Sequence, residues 1–240
     1  MLVWTQYLSY FHLHYNPIHI FTMLGPLDLT LPPIVLLTSI ATIPFTLLIS
    51  PLTNPSALTS YDEFKHAWFK HFWWWFGPAS KPLFSSTVRP ILAQAYGTVL
   101  DIGPASGVWI SDFGELVKQN PGKITKIYGV EPNINFHDQL KANAKAAGLE
   151  DIYEPVAAYA QDLEKSGIKK GNVDTIITVH VLCSVGSQQA EIIKSLYEYL
   201  KPGGQWLVYE HVVSSNAPVK MWQGQNLKFI EVSRRVIDVD

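Results

Sequence analysis

From Thr98 onward, short apolar segments alternate with amphipathic ones, and this alternation constrains the fold more than any other feature of the chain. Five segments rich in apolar and β-branched residues are typical of strands: TVLDIG (98–103), KIYGVEP (126–132), IYEPVAA (152–158), VDTIITVHVL (173–182) and QWLVYEHVV (205–213). Three amphipathic segments between them are typical of helices: SGVWISDFGELVKQN (106–120), NINFHDQLKANAKAAG (133–148) and SQQAEIIKSLYEYL (187–200). This order predicts an α/β fold with a doubly wound, mainly parallel sheet that is covered on both faces.

The end of the first predicted strand carries the first candidate site. In a sheet of this kind, ligands bind beyond the carboxyl ends of the strands, where the strand order reverses. The segment VLDIGPASG (99–107) places Asp101 directly before a turn that contains Gly103 and Gly107. Glycine has no Cβ atom, so the backbone turns sharply there and approaches a ligand closely. The segment indicates a binding loop, although a glycine turn after a strand also occurs as plain structure.

Glu131 ends the second predicted strand and strengthens this interpretation. An acid at that position accepts hydrogen bonds from the hydroxyl groups of an adenosine ribose, and it occurs here together with a glycine loop, as in nucleotide-binding sheets. The alternative is that Glu131 caps the helix that follows, because Glu131-Pro132-Asn133 is also typical of a helix start.

The composition of the loop decides between two adenosine cofactors. A nicotinamide dinucleotide needs a G-x-G-x-x-G loop whose backbone N–H groups face a pyrophosphate. Pro104 removes one of these donors, and the charge of Asp101 opposes a pyrophosphate. An acid at this position suits a cationic amino group, such as the one at the methionine end of S-adenosylmethionine. The sequence therefore favours S-adenosylmethionine.

Residues 1–60 differ in composition from the rest of the chain. Their only charged side chain is Asp28, and the segment LPPIVLLTSIATIPFTLLISPL (31–52) has the length and apolar character of a membrane helix. We predict a hydrophobic membrane anchor over 1–60, the alternative being a buried helical hairpin packed on the domain. Basic residues begin only after this segment, with Lys65 and Lys70, so the rest of the chain is expected on the cytosolic side.

The segment HAWFKHFWWWFGP (66–78) concentrates aromatic side chains around one lysine and two histidines. We expect an interfacial helix that ends at Gly77-Pro78, or an aromatic lid over the mouth of the site. The predicted organisation is an anchor over 1–60, an aromatic helical linker or lid over 61–97, and a cofactor-binding domain over 98–240.

Charge and cysteine content exclude several functions. The net charge is −2, and Lys and Arg do not cluster with aromatic residues, so no nucleic-acid partner is expected. Cys183 is the sole cysteine, which excludes an internal disulfide and a cysteine-rich metal site. No histidine set has the spacing of a metal site, and no metal is expected.

Several segments together resemble the class I methyltransferases, which have a Rossmann-like sheet. They are VLDIGPASG (99–107), YGVEPN (128–133), AQDL (160–163), VLCSV (181–185), YLKPGGQWLVYEHV (199–212) and MWQ (221–223). With ASKPLF (79–84), they resemble in particular the methyltransferase-like protein 7, or thiol S-methyltransferase, group and its fungal-type relatives. Members of that group carry an N-terminal membrane anchor, which agrees with the interpretation of residues 1–60.

The resemblance implies a role for each matching position. Asp101 and the backbone of 103–107 hold the methionine part of S-adenosylmethionine, and Glu131 holds the ribose. Gln161 and Asp162 border the adenine, with Asp162 accepting from its amino group. His180 to Cys183 line the side on which the methyl group is transferred.

Two departures from the family pattern are visible. Ala105 stands where the family has a middle glycine, so the loop is expected to be slightly displaced. The group also continues into two more strands that close the sheet. Because the chain stops at Asp240, we expect these C-terminal strands, and the acceptor wall that they contribute, to be missing.

Methyl transfer from a sulfonium is an in-line displacement, so the enzyme mainly aligns acceptor and methyl group. If the acceptor must lose a proton, His211 and His180 are the candidate catalytic bases, the alternative being structural histidines at strand ends. Cys183 and Glu210 are expected beside the substrate, with Cys183 as a small apolar side chain rather than a nucleophile.

The sequence thus predicts a membrane-associated methyltransferase, at the endoplasmic reticulum or a similar membrane, that methylates a small, lipophilic acceptor. The acceptor atom (sulfur, oxygen or nitrogen) and the oligomeric state are left open. Two alternatives remain: a non-catalytic, membrane-bound cofactor-binding protein and a nicotinamide-dependent oxidoreductase.

Overall fold

A computed structural model describes residues 27–185, 188–212 and 231–238, with side chains for 34–185 and 188–210. Its helices are α1 (Leu27–Ala41), α2 (Ile43–Thr53), α3 (Tyr61–Leu92), α4 (Ile110–Gln119), α5 (His137–Ala146) and α6 (Gln189–Tyr197). Its strands are β1 (Gly97–Ile102), β2 (Ile124–Val130), β3 (Tyr153–Val156), β4 (Val173–Val179), β5 (Leu200–Val212) and β6 (Glu231–Asp238). Short 3₁₀ turns occupy Pro55–Leu58, Ile134–Phe136, Leu163–Ser166 and Leu182–Ser184.

The strands form one sheet in the order β3-β2-β1-β4-β5-β6. Strands β1 to β5 are parallel, which confirms the predicted doubly wound, Rossmann-like sheet. The chain leaves β1 in one direction to form β2 and β3, and then crosses to β4 on the other side of β1. The strand order therefore reverses beside β1, and ligands bind such sheets at the carboxyl ends flanking this point.

The sheet has a sixth strand that the sequence analysis does not predict. Strand β6 pairs antiparallel with β5, with Gln205 opposite Asp238 and Val212 opposite Glu231. The expectation that the strands after β5 are missing is therefore wrong for one strand. Residues 213–230, which include the MWQ segment, lie outside the described residues.

Each face of the sheet carries its own apolar core, as expected for strands that are buried on both sides. On one face, Val99, Ile127 and Ile177 pack with Phe113, Leu140 and the end of α3. On the other face, Leu100, Ile176 and Trp206 pack with Ile192 and Leu196 of α6. Successive residues along β1 and β4 point alternately into the two cores. The packing on both faces therefore fixes the positions of the strand ends that carry the candidate site.

The prediction that the aromatic helix ends at Gly77-Pro78 is wrong, because α3 continues to Leu92. It runs through that pair and contains Pro78, Pro82 and Pro90 in its interior. A proline removes one hydrogen bond of the helix, but packing against the domain outweighs this loss. The last two turns of α3 supply Val88, Ile91 and Leu92 to the core, each at most 1% exposed.

Along α2 and the residue before it, a polar stripe of Thr42, Thr46 and Ser50 is buried, whereas most apolar side chains of α1 and α2 are exposed. Thr46 and Ser50 are buried, whereas Leu48 and Leu52 are 73% and 84% exposed. The indole N–H of Trp68 on α3 donates to the Ser39 carbonyl at 2.7 Å, next to the break between α1 and α2. Helices α1 and α2 thus follow each other with only Thr42 between them, and their polar face packs on α3 while most of their surface is exposed. The alternative of a buried helical hairpin is not what the described residues show, and the membrane anchor stays a prediction. Residues 1–26 of the predicted anchor lie outside the described residues.

Candidate active site

The loop after β1 is shaped by left-handed backbone at alternate residues. Gly103, Ala105 and Gly107 have φ values of 63°, 49° and 74°. A Cβ atom on Gly103 would press on Val181, and one on Gly107 would overlap Ile110, so both positions require glycine in conformation and in space. The loop is therefore packed tightly between the loop after β4 and the start of α4.

Ala105 adopts the conformation that a glycine would take most easily. Left-handed backbone costs an L-residue roughly 1–2 kcal/mol. The Ala105 side chain is buried, and its backbone N–H donates to Glu131 Oε2 at 3.0 Å. Ala105 therefore keeps the turn at the cost of left-handed backbone strain, and the predicted displacement of the loop stays a prediction.

Glu131 ties the ends of β1 and β2 together. Its Oε1 accepts from the Asn133 backbone N–H at 2.9 Å, while Oε2 accepts from Ala105. The contact with Asn133 is the capping interaction that the sequence left open as an alternative. Burial raises the pKa of Glu131 to about 6, against the opposing effect of these two hydrogen bonds. A carboxylate has about four lone-pair sites, so each oxygen keeps capacity for a further donor.

Asp101 lies at the centre of the carboxyl edge and is 9% exposed. Tyr153 donates a long hydrogen bond to its Oδ2 at 3.4 Å. Burial raises the pKa of Asp101 to about 7, with Tyr153 opposing the rise and the nearby charge of Glu131 adding to it. The structure therefore brings Asp101 and Glu131 within electrostatic reach of each other.

Neither acid has a basic partner among the side chains that the structure describes. Two buried carboxylates of like charge are unfavourable unless a cation compensates them. The site is therefore electrostatically suited to a positively charged ligand and unsuited to a pyrophosphate.

Gln161 and Asp162 lie on the loop after β3, at the periphery of the site. Gln161 is exposed, and Asp162 Oδ1 accepts from Lys165 Nζ at 2.6 Å. The lysine is largely exposed, and such ion pairs contribute little to stability. Asp162 is consequently free to exchange this partner for another donor.

His180 follows β4 in a left-handed conformation, with φ of 58°. Its ring forms a cluster with two aromatic rings, 4.8 Å from the centroid of Phe84 and 5.0 Å from that of Tyr209, and these two rings also contact each other. The thiol of Cys183 is half-buried, and burial together with the Glu210 charge raises its pKa to about 11. A protonated thiol is a weak nucleophile, so Cys183 is an apolar wall residue at neutral pH.

Glu210 holds the loop after β4 in place. Its Oε1 accepts from the Val181 backbone N–H at 2.9 Å and its Oε2 from that of Leu182 at 3.1 Å. Burial raises the pKa of Glu210 to about 7. His211 pairs in register with Val232 through the backbone of β5 and β6, but its side chain lies outside the described residues. The predicted role of His211 as a base stays a prediction.

Helix α3 borders the carboxyl edge, a contact that sequence reasoning anticipated only as a possible lid. Asn133 Nδ2 donates to the His66 carbonyl at 3.0 Å, and the ring of Phe69 meets that of Phe136 edge-on at 5.8 Å. Further along, Phe84 reaches His180. One helix thus covers the site from the end of β2 to the end of β4.

A second set of contacts, which the sequence analysis missed, fastens α3 to the first turn of α4. The buried Asp112 carboxylate is bound by Lys81 Nζ at 2.5 Å and by Arg89 Nε at 2.7 Å. Lys81 Nζ also donates to the Val108 carbonyl at 2.9 Å. The only sequence signal was the ASKPLF segment, which contains Lys81. Within the described part of the chain, no group of three or more His, Cys, Asp and Glu is placed to hold a metal ion.

The residues of the carboxyl edge fit S-adenosylmethionine. Asp101 and Glu131 supply buried negative charge for a cationic ligand. The hydroxyl of Ser106, in the loop itself, is buried without a hydrogen-bond partner in the described structure. The loop closes tightly only because Gly103 and Gly107 lack side chains.

Comparison with known proteins identifies the family. Residues 83–235 match the family model of a methyltransferase domain. No curated protein sequence matches the chain. Similar solved structures include a methyltransferase in complex with its activator from Haloferax volcanii (18% identity, 69% of each chain covered, TM-score 0.49). They also include one from Bacillus halodurans (15% identity, 61% of this chain and 62% of that one, TM-score 0.48) and an S-adenosylmethionine-dependent one from Aquifex aeolicus (16% identity, 57% and 70%, TM-score 0.45). Because the family model covers more than half of the sequence, the protein belongs to the methyltransferase-domain family, and its cofactor is S-adenosylmethionine.

Proposed function

We propose that the protein transfers a methyl group from S-adenosylmethionine to a small, lipophilic acceptor at a membrane surface. The observation that carries the cofactor assignment is the pair of buried acids, Asp101 and Glu131, for which the described structure offers no basic partner. When bound, S-adenosylmethionine supplies a methyl group that is already activated by the sulfonium. The chain's own residues then bind the cofactor, orient the acceptor toward its methyl group and exclude water from the site.

The roles at the cofactor follow from the position of each residue. Asp101 binds the ammonium group of the methionine part, and Glu131 accepts from the ribose hydroxyls with the lone pairs that Ala105 and Asn133 leave free. Gln161 and Asp162 border the adenine. In the loop, the N–H groups of Gly103, Ala105 and Gly107 already donate within the protein, so we assign the methionine carboxylate to Ser106, whose buried hydroxyl has no described partner.

The acceptor side is bounded by His180, Cys183 and the aromatic residues of α3. His180 lies against Phe84 and Tyr209, so the surroundings of its ring favour an apolar substrate. We assign Glu210 to positioning, because both its oxygens hold backbone N–H groups of the His180–Cys183 loop. His180 or His211 removes a proton if the acceptor has one to lose. The resemblance to the thiol S-methyltransferase group favours a thiol as acceptor.

The membrane assignment rests on the outward apolar face of α1 and α2. Ile34–Thr53 has a mean hydropathy of 2.0 and only 17% of it is buried, as in a helix that meets lipid. Thr42, Thr46 and Ser50 face α3 instead. A polar inner face and an apolar outer face favour attachment along the membrane surface, with the sheet on the cytosolic side. The endoplasmic reticulum or a similar membrane is the proposed location.

Titration with S-adenosylmethionine tests the cofactor site. Glu131→Gln keeps the shape of the side chain and is expected to weaken binding about tenfold, since it loses a charge-assisted hydrogen bond. Glu154→Gln is the matched control, because Glu154 on β3 is exposed and pairs with Lys126. Unchanged affinity in Glu131→Gln contradicts the ribose assignment.

A methylation assay on thiols, phenols, amines and carboxylic acids of graded lipophilicity tests the acceptor. We expect transfer to the apolar members of at least one class, with rates that rise with chain length. Binding of S-adenosylmethionine without transfer to any of them supports the non-catalytic alternative instead.

Flotation with phosphatidylcholine vesicles tests the membrane assignment. The triple variant Leu37→Asp, Leu48→Asp, Leu52→Asp alters only the exposed face and is expected to lose binding to vesicles while still binding S-adenosylmethionine. Ile134→Asp, at a position on the domain that is 68% exposed, is the control and should float as the wild type does. A triple variant that floats equally well argues against this face as the contact.

A further inference from the structure

Tyr153 reaches across one strand to contact the central acid of another. Asp101 on β1 lies opposite Gly129 on β2, which lies opposite Pro155 on β3. Side chains two residues apart on a strand share a face, so Tyr153 projects from the same side of the sheet as Asp101. Its ring spans the width of β2, and its hydroxyl lies 3.4 Å from Asp101 Oδ2.

Gly129 makes this reach possible. A Cβ atom at Gly129 would overlap the hydroxyl group and the outer ring carbons of Tyr153. Glycine weakens the interior of a strand, and there it often marks a place where another group approaches the backbone closely. Here that group is the phenol of Tyr153, which is 5% exposed. The glycine and the tyrosine are therefore two parts of one arrangement directed at Asp101.

We propose that Tyr153 is a positioning residue for S-adenosylmethionine binding: across Gly129, its hydroxyl orients the Asp101 carboxylate and favours its charged form. The inference goes beyond the assignment of Asp101 under Proposed function, and it rests on that assignment. Tyr153 does not contact the reacting atoms; it acts through Asp101.

The surroundings of Asp101 explain why such a donor matters. Two titratable groups act on it, Glu131 from β2 and Tyr153 from β3, and no basic group of the described residues does. Burial and the charge of Glu131 both favour the neutral form of Asp101. A neutral Asp101 has no charge with which to attract a cation. The Tyr153 hydroxyl is the one described side-chain group that opposes them.

Tyr153→Phe tests the inference, because it removes only the hydroxyl. We expect the dissociation constant of S-adenosylmethionine to rise about tenfold at pH 7, the size of effect typical of a hydrogen bond to a charged group. The ratio of variant to wild-type dissociation constant should shrink toward one by pH 8.5, where Asp101 is charged in both proteins. Taking the ratio cancels titration of the ligand itself.

Tyr197→Phe is the matched control. Tyr197 packs against Trp206 on the other face of the sheet, and its hydroxyl has no described partner. This variant should bind S-adenosylmethionine as the wild type does at every pH. A pH-independent loss of affinity in Tyr153→Phe, or no loss at all, overturns the inference.

Asp101→Asn separates failure of this inference from failure of the cofactor assignment. If Asp101→Asn binds as tightly as the wild type, the assignment of Asp101 itself is wrong. If Asp101→Asn loses affinity and Tyr153→Phe then has no further effect in that background, Tyr153 acts through Asp101. A full additional loss in the double variant shows that Tyr153 acts independently and contradicts the proposal.

Discussion

Two buried aspartates, Asp101 on β1 and Asp112 on α4, lie eleven residues apart in the sequence and have opposite surroundings. Asp112 is 5% exposed and is bound by Lys81 and Arg89 from α3. Asp101 is 9% exposed and has a tyrosine hydroxyl but no basic group among its described neighbours. One acid has its cations within the chain, whereas the other has none among the described residues.

The difference shows how a structural acid is distinguished from a binding acid. A buried carboxylate whose charge is fully compensated joins parts of the fold, here the long helix α3 and the first turn of α4. A buried carboxylate without compensation is costly, so at a strand tip it marks a candidate ligand site. Substitutions at the two positions should therefore have opposite consequences.

The largest effect is expected from Asp112→Ala. The substitution leaves the partly buried Lys81 without its anion and frees α3 from α4, so it should lower the free energy of unfolding by about 3 kcal/mol. For a chain of this size that corresponds to a fall of roughly 6–12 °C in melting temperature. Differential scanning fluorimetry measures it, with the exposed Asp138→Ala as control. A change below about 1 °C would mean that the two cations do not stabilise α3.

Asp101→Asn should produce the opposite pattern. It is expected to weaken S-adenosylmethionine binding about 100-fold, because the charge-assisted interaction is lost at a buried site. At pH 8 the same substitution should raise the melting temperature of the cofactor-free protein, since a buried negative charge is removed. Calorimetric titration measures the loss of cofactor affinity, and thermal denaturation of the same preparation measures the gain in stability. A loss of stability at pH 8 would show that Asp101 is structural, as Asp112 is.

Local sequence signals were sufficient for the parts of the site that depend on one strand. Asp101 and Glu131 were found because each follows a short apolar segment and so ends a strand at the same edge of the sheet. Tyr153 and Asp112 were missed because their contacts with Asp101 and with Lys81 and Arg89 exist only in the folded chain. A signal for Tyr153 did exist, since the isolated glycine inside KIYGVEP indicates a close approach by another group.

The end of α3 and the presence of strand β6 were also not predicted from local sequence signals. Gly77-Pro78 is a strong local stop signal, and it was overridden because α3 is held on the domain on both sides of that point. Strand β6 has charged residues such as Glu231 and Arg234 in its sequence, which conceal its pairing with β5. Propensity predicted the elements that are buried on both faces, and tertiary contacts decided the others.

A pH series should test the other side of the comparison, the pair of uncompensated acids Asp101 and Glu131. Burial raises the pKa of Asp101 to about 7 and that of Glu131 to about 6 in the folded protein. Groups with a raised folded-state pKa add stability below their unfolded pKa and lose it as the pH rises through the folded value. The cofactor-free protein should therefore melt several degrees lower at pH 8 than at pH 5.5.

Saturating S-adenosylmethionine should reduce that difference, because the cation compensates the two acids when they are charged. Thermal denaturation with and without the cofactor over this pH range is the measurement. A stabilisation by cofactor that is larger at pH 5.5 than at pH 8 would contradict the electrostatic account of the site.

The smallest effect is expected from Ala105→Gly, in the loop that Glu131 holds. Glycine relieves roughly 1 kcal/mol of left-handed strain. It also adds roughly 0.4–1 kcal/mol of conformational freedom to the unfolded chain, so the melting temperature should change by less than about 2 °C. Gly107→Ala, at a position with no space for a Cβ atom, is the contrasting variant and should be clearly destabilising. A large gain from Ala105→Gly would show that the loop stores more strain than its backbone indicates.

The continuity of α3 has a practical consequence for the whole molecule. The helix is 32 residues long, or about 48 Å, and one end packs against α1 and α2 while the other enters the core of the sheet. A shortened chain that lacks residues 27–53 would expose the indole of Trp68 and the imidazole of His71, which now bond to Ser39, Thr42 and Thr46. Any attempt to obtain the sheet domain without α1 and α2 must therefore redesign that side of α3 as well.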